Sequence, residues 1–172
     1  MAAFLMCFRH LVRNYFLFIL IYLEYLAYAK RCLARNNCAC SFDDGSATFN
    51  LSTIAREDGI SQFHFVPSTD DSYFYFYSPC YPLSIGACTG SSACLFNNSD
   101  YTFQDIGDSR EPAFEYTGEN VVMTYRSRDH LRTTHVTNIC KQDTFYPILN
   151  VAGETTPQTF QMEMISAQAC NQ

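Results

Sequence analysis

The sequence predicts an all-β domain, a sandwich or barrel cross-linked by disulfides. Three observations carry that expectation. After residue 30 no stretch keeps a helical apolar period for long, whereas short strand-like runs alternate with turn clusters. Phe and Tyr number 15 and 12 among 172 residues, which supplies strand formers and enough bulk for one core. Nine cysteines in so short a chain point to an oxidising compartment. Charged residues are 16% of the chain against about 25% in an ordinary soluble domain, which favours a packed body over a disordered tail. A net charge of −6 argues against nucleic acid or an anionic membrane surface as the main partner, because both need a concentrated positive field.

Residues 1–29 read as a secretory signal. Arg9 and Arg13 form a positive leader, Tyr15 to Leu23 is apolar throughout, and Ala27-Tyr28-Ala29 fits the small-x-small cleavage rule with Lys30 as the mature start. Glu24 ends the apolar run short of the roughly 20 residues of a membrane span. An uncleaved signal anchor is the other reading, since Lys30 and Arg31 follow directly, and only then would the chain associate with a membrane. Residues 30–172 form the domain. Loss of the leader removes Cys7 and leaves Cys32, Cys38, Cys40, Cys80, Cys88, Cys94, Cys140 and Cys170. The even number suits a disulfide framework but leaves about a hundred pairings open. Asn50-Leu51-Ser52 and Asn97-Asn98-Ser99 make Asn50 and Asn97 glycan acceptor candidates.

The strands follow in order. Ala47 to Leu51 comes after the turn Asp43-Asp44-Gly45-Ser46, and Gln62 to Val66 ends at Pro67. In Tyr73 to Tyr77 (YFYFY) tyrosines take one face and phenylalanines the other, so this strand is expected to be covered on both sides and central. Ala93 to Phe96, Tyr101 to Ile106, Ala113 to Tyr116, Asn120 to Tyr125 and Thr133 to Ile139 follow. In the last, Thr159 to Ile165, Phe160, Met162 and Met164 alternate with Gln161 and Glu163 as in a half-buried strand.

Catalytic signatures are missing. The sequence has no G-x-S-x-G, H-E-x-x-H, Walker loop or G-x-G-x-x-G, so no catalytic residue and no cofactor are assigned. His64, His130 and His135 are scattered, and no Cys/His spacing suits zinc. Cys38-x-Cys40 behind a signal sequence reads as a disulfide element, and Asp43-Asp44 and Asp70-Asp71 read as solvated turns, so no metal is assigned.

The order of cysteines and aromatics resembles the mannose 6-phosphate receptor homology domain, a divergent member of that lectin-like superfamily. Cys38-Ala39-Cys40 with Thr48 to Ser52 resembles its opening cysteine and first strand. Tyr73 to Cys80 with Pro82-Leu83, the small-residue loop Cys88 to Cys94, Val121 to Tyr125, and Arg132 through Cys140 resemble successive family segments. Phe160-x-Met162-x-Met164-x-Ser166-x-x-Ala169-Cys170 matches the closing motif in spacing, though it keeps few of the family's residues. The resemblance covers most of residues 38–170. It implies a flattened β-barrel of two crossed antiparallel sheets, with Cys140 bonded to Cys170, Cys88 to Cys94, Cys80 to Cys38 or Cys40, and Cys32 to the cysteine remaining. A further family cysteine pair, near Ser127 and Gln158, is missing here, both halves together.

Sugar-binding members hold mannose hydroxyls with a Gln, an Arg, a Glu and a Tyr, because neighbouring hydroxyls need donors and acceptors in fixed places. By the resemblance Arg132 matches the Arg and Glu154 lies near the Glu position, whereas Leu95 replaces the Gln and Phe160 lacks the Tyr hydroxyl. Gln104 stands too far along to substitute without a change of register. Two such losses, at roughly 1–3 kcal/mol each, would weaken mannose affinity by about two to four orders of magnitude. The family's phosphate-contacting loop falls near Asp129-His130, where His130, Arg126, Arg128 and Arg132 form a basic cluster for a phosphate or an acidic partner.

The expected function is therefore a non-enzymatic lumenal or secreted recognition domain. It would act in the secretory or endolysosomal pathway on a protein or glycoprotein ligand, its sugar site degenerate. The alternatives are a glycan receptor using Arg132, Glu154 and His130, and a regulatory subunit of a glycan-processing enzyme.

Overall fold

The computed structural model describes Tyr15, residues 30–69 and residues 71–170. The expected leader and its cleavage site thus lie outside the described residues. The chain divides between Lys30 and Arg31, and the fold below is that of the unit from Arg31 onward. No helix among the described residues is long and apolar enough to cross a membrane.

Thirteen strands and a single 3-10 turn, Ser52–Ile54, make up the regular structure among the described residues. In chain order the strands are β1 (Cys32–Asn36), β2 (Ala39–Phe42), β3 (Thr48–Asn50), β4 (Phe63–Pro67), β5 (Phe74–Tyr77), β6 (Leu83–Ile85) and β7 (Cys88–Asn97). They continue with β8 (Thr102–Asp108), β9 (Ala113–Tyr116), β10 (Val121–Arg126), β11 (Thr133–Cys140), β12 (Ile148–Thr156) and β13 (Thr159–Ser166). One sheet has the order β4-β5-β7-β6 with β8 also paired to β7, the second runs β12-β13-β11-β10-β9, and β1-β2-β3 form a small third sheet.

The all-β expectation holds, with two departures. The resemblance implied antiparallel pairing throughout, but β11 and β13 run parallel, Thr133 opposite Thr159 through Cys140 opposite Ser166. Insertion of β12 makes this geometry available: it leaves β11, turns back, and pairs antiparallel with β13 on the other side. The small third sheet is the other addition. Strands β1, β2, β6 and β12 also lack a clear sequence signal. In β12 the run ILNVAGETT loses its alternation at Gly153, where the register shifts.

The two large sheets share one core. Tyr75 and Tyr77 on β5, Leu95 on β7, Ile106 on β8, Met123 and Tyr125 on β10, Val136 on β11, and Phe160, Met162 and Met164 on β13 are all buried in it. Burying a large apolar side chain is worth about 1.5–3 kcal/mol, so this alternation dictates which face of each strand turns inward. At its centre the Tyr77 and Tyr125 hydroxyls bond each other at 3.0 Å, which satisfies two polar groups far from water. The alternation in YFYFY resolves as expected: β5 lies between β4 and β7. Its tyrosines enter the main core, while Phe74 and Phe76 join Phe96, Phe103 and Leu83 in a second cluster on the other face. Phe65, on a β-bulge with φ 51°, lays its ring edge-on against Phe74, Phe76 and Phe96.

Four disulfides staple this shell: Cys32–Cys40, Cys38–Cys80, Cys88–Cys94 and Cys140–Cys170. The choice left open between Cys38 and Cys40 is thereby made, and both sulfurs of Cys38-x-Cys40 are covalently engaged.

Candidate functional site

One end of the shell brings together Arg132, Gln104 and Glu154. Inward parity on each strand brings them there. On β11, Thr134 and Val136 are buried, so Arg132, two residues before Thr134, reaches the same side where the strand begins. On β8 the same parity carries Gln104, two residues before the buried Ile106. Residues Tyr75, Leu95 and Gln104 are consecutive neighbours across β5, β7 and β8. Residues Thr134, Phe160 and Glu154 are neighbours across β11, β13 and β12. The two rows meet where the Tyr75 and Phe160 rings lie 6.3 Å apart and where the Glu154 amide donates to Asp71 at 3.2 Å.

The arginine is held from three directions. Arg132 Nη1 donates to Asp129 at 2.8 Å. The Gln104 amide oxygen, its orientation assigned from its partners, accepts from Nη2 at 2.7 Å and Nε at 3.2 Å. The Arg132 main-chain amide donates to the Ser127 hydroxyl at 2.9 Å, and that hydroxyl donates to Asp129 at 2.5 Å. The Ser127 hydroxyl, followed by the Leu131 amide and Arg132, holds the Asp129 carboxyl down at about 2. Arg132 keeps only 20% of its side-chain surface, with its forks already filled by protein acceptors.

Hydrogen bonds occupy the opposite rim as fully. Asp71 accepts from the Tyr75 hydroxyl at 2.5 Å and from the amides of Tyr73 and Glu154. Burial, and then Asp71 itself, push the Tyr75 hydroxyl well above the ordinary tyrosine range, so it stays protonated as a donor. Glu154 bends back to accept the Gln158 amide at 2.6 Å, closing its own hairpin. Between the rims Leu95 is 4% and Phe160 2% exposed. The floor is apolar and filled.

The basic cluster does not stay together. Arg132 belongs to the end just described, whereas Arg126, Arg128 and His130 line a separate cleft on the outer face of β10. Met123 and Tyr125 of β10 are buried, and Thr124 and Arg126 therefore point the other way. Of the glycan acceptor candidates, Asn50 and Asn97 each accept the backbone amide of their own acceptor serine, Ser52 and Ser99, at 2.9 Å.

No family model matches the sequence, and no curated protein matches it. Solved structures do. Domain 11 of the chicken IGF2R superposes with a TM-score of 0.61 at 14% identity, covering 79% of this chain and 93% of that one. Domain 11 of the echidna M6P/IGF2R receptor, an NMR structure, gives 0.59 at 17% identity, covering 81% and 99%. The chain has the mannose 6-phosphate receptor homology fold.

Within the receptor homology fold, the expected site residues divide. Arg132 faces Gln104 and Asp129. Glu154 shares that end, its carboxylate turned onto Gln158. His130 lies on the outer cleft and not with them. Gln104 corrects the expectation from sequence: nine positions along the chain, it sits directly across from Leu95 because β7 and β8 form a hairpin. The turn residues Asn98-Ser99-Asp100-Tyr101 carried that signal, since a four-residue loop there pairs 97 with 102 and 95 with 104. The missing cysteine pair also has a local replacement. Ser127 bonds back to Arg132 while the Gln158 carbonyl accepts the Thr133 amide at 2.9 Å, so hydrogen bonds tie the two segments to the start of β11.

Proposed function

We propose that this chain is a non-enzymatic recognition domain of the secretory pathway, lumenal or extracellular, that binds a protein or glycoprotein ligand and has lost mannose as its main ligand. The observation that carries the reading is the filled end of the shell: Leu95 and Phe160 floor it, while Gln104 and Asp129 take the donors of Arg132. A sugar entering there would have to displace protein acceptors and would find no tyrosine hydroxyl at Phe160. The solved neighbours, whose names place them in the mannose 6-phosphate/IGF2 receptor, support a receptor-type role, and four disulfides suit an oxidising compartment. Protein recognition is further supported by the aromatic tip before β12, where Phe145 and Tyr146 are 95% and 83% exposed and Ile148 follows on the strand. Asn50 and Asn97 are the glycan acceptors in this reading, and cleavage after Ala29 gives the mature chain.

The test is a titration of the full chain with high-mannose and phosphomannose oligosaccharides. No saturable binding below about 1 mM is expected, a threshold corresponding to roughly 4 kcal/mol. Tighter binding, lost in Arg132→Ala, would overturn the reading in favour of a glycan receptor with a rebuilt pocket.

A further inference from the structure

The outer face of the sheet β12-β13-β11-β10-β9 ends in an uncovered apolar row. On these strands the residues between the buried ones point outward. Ile139 of β11 therefore stands beside Ile165 of β13, and Ile148 of β12 lies on the other side of Ile165. Three β-branched side chains thus run side by side across three strands, and Ile148 is half exposed. Beyond them the loop from β11 to β12 turns where the Thr144 amide donates to the Lys141 carbonyl at 3.1 Å, and it carries Phe145 and Tyr146 out almost wholly uncovered. Contiguous apolar surface rimmed by polar groups marks a place of contact. The next row along the same face supplies those polar groups. Glu163 lies between Thr137 of β11 and Asn150 of β12, and all three line a cavity of about 380 Å³. Glu163 is exposed, and no cation or hydrogen-bond donor among the described residues meets its carboxylate. The row continues through Val122 of β10 to Glu115 of β9, a second exposed carboxylate.

We propose, resting on the protein-recognition role above, that this face docks a short extended segment of a partner protein, two apolar side chains followed at alternate positions by a lysine or arginine. Alternate side chains of an extended chain are about 6.6–6.8 Å apart, the spacing that also separates Ile165 from Glu163 on β13. Apolar residues on the aromatic tip and on the isoleucine row therefore put the third side chain over Glu163. A cation there complements a charge that the fold leaves unpaired. In the loop, Lys141 and Asp143 carry opposite charges and leave the tip neutral. The Asn150 and Gln161 amides at the cavity are the groups that meet the segment's main chain. Five apolar side chains fall well short of the roughly 20–30 residues a side of a stable interface. Two copies of a chain with a net charge of −6 would also bring like charges together, so the patch suits a basic segment and not a second copy. Arg132 precedes β11 and Ile139 stands near its end, so roughly 20 Å of strand separates this face from the filled end.

The experiment is a backbone-amide NMR titration of the full chain with the synthetic nonapeptide Gly-Ser-Val-Thr-Val-Thr-Lys-Ser-Gly, and with its counterpart carrying glutamate for lysine. Saturable shifts confined to residues 137–150 and 161–165 are expected for the lysine peptide, with a dissociation constant of about 1 mM or tighter. The glutamate peptide should bind about tenfold more weakly at low salt, and the gap should narrow as salt screens the charges. Glu163→Lys should reverse the order of the two peptides, and Ile148→Ser should weaken both by about fivefold. Both positions are exposed, so neither change threatens folding. Arg132→Ala should leave the titration as it is. Shifts that do not saturate, that centre on Gln104 and Glu154, or that favour neither peptide would overturn the site. Shifts of the same residues on concentrating the protein alone would overturn it in favour of a second copy. The oligosaccharide titration separates the two proposals: sugar binding overturns the loss of mannose whatever the peptides do, whereas failure of both peptides with no sugar bound overturns this face and not the recognition role.

Discussion

Asp129 illustrates how one carboxylate organises a turn. It accepts from the Ser127 hydroxyl, the Leu131 amide and Arg132, and all three bonds favour its ionised form. The folded value of about 2 lies below the roughly 3.9 of an unfolded aspartate. A depressed carboxyl contributes stability that is present above the unfolded value and fades as pH falls through the folded one. Asp129→Asn should therefore lower the melting temperature at pH 6 but make little difference at pH 2. A constant gap across that range would contradict the hydrogen-bond account. None of this was readable from Asp129-His130-Leu131-Arg132 as a string, where the aspartate was one member of a basic loop. Arg132 was legible as a candidate because its distance from Cys140 is a chain property. Its capture by the Gln104 amide oxygen depends on a partner from another sheet.

At the scale of elements, Gly153 shows what a bulge is for. It sits at φ 99°, and a Cβ there would meet the Asp71 carboxylate and the Ser68 hydroxyl. The bulge in β12 thus clears space for Ser68 and Asp71, and Asp71 ties β5 to β12 through Tyr75 and the Glu154 amide. Gly153→Ala should cost about 2–3 kcal/mol, combining backbone strain with a displaced latch. In an Asp71→Ala background the cost should fall, leaving the strain alone; equal costs in the two backgrounds, read from urea denaturation, would separate the glycine from the latch. Strand β12 was also the longest element without a sequence signal. Its alternation breaks at this glycine, and the need for that break is set by Asp71, 82 positions upstream. Of the strands that were legible, β10, β11 and β13 have one buried face and a period of two, while β5, covered on both faces, alternates tyrosine with phenylalanine.

At the scale of the molecule, the disulfides act on the unfolded chain. Cys140–Cys170 closes the ends of β11 and the final strand region across a separation of 30 residues. Restricting a loop of that length is worth about 3.5 kcal/mol in the chain-entropy account. Cys140 itself is exposed, so little packing is lost with it. The double change Cys140→Ala, Cys170→Ala should therefore lower the unfolding free energy by about 3–4 kcal/mol with the sheet signal in far-ultraviolet circular dichroism retained. A loss below about 1 kcal/mol would mean that the parallel β11–β13 pairing already confines these ends.

By itself the sequence determined the class of fold, the inward face of most strands and the sulfurs that would be needed to hold a strand-rich shell, because period-two burial and turn chemistry are local properties. By the resemblance, it also led to the expectation that Leu95 and Phe160 stand at two of the family's sugar-binding positions. Only the tertiary structure decided the parallel pair, the division of the basic cluster between two faces, and the capture of Arg132 by Gln104. Each of these is a contact between strands distant in the chain, and its energy depends on which faces the sheets bring together.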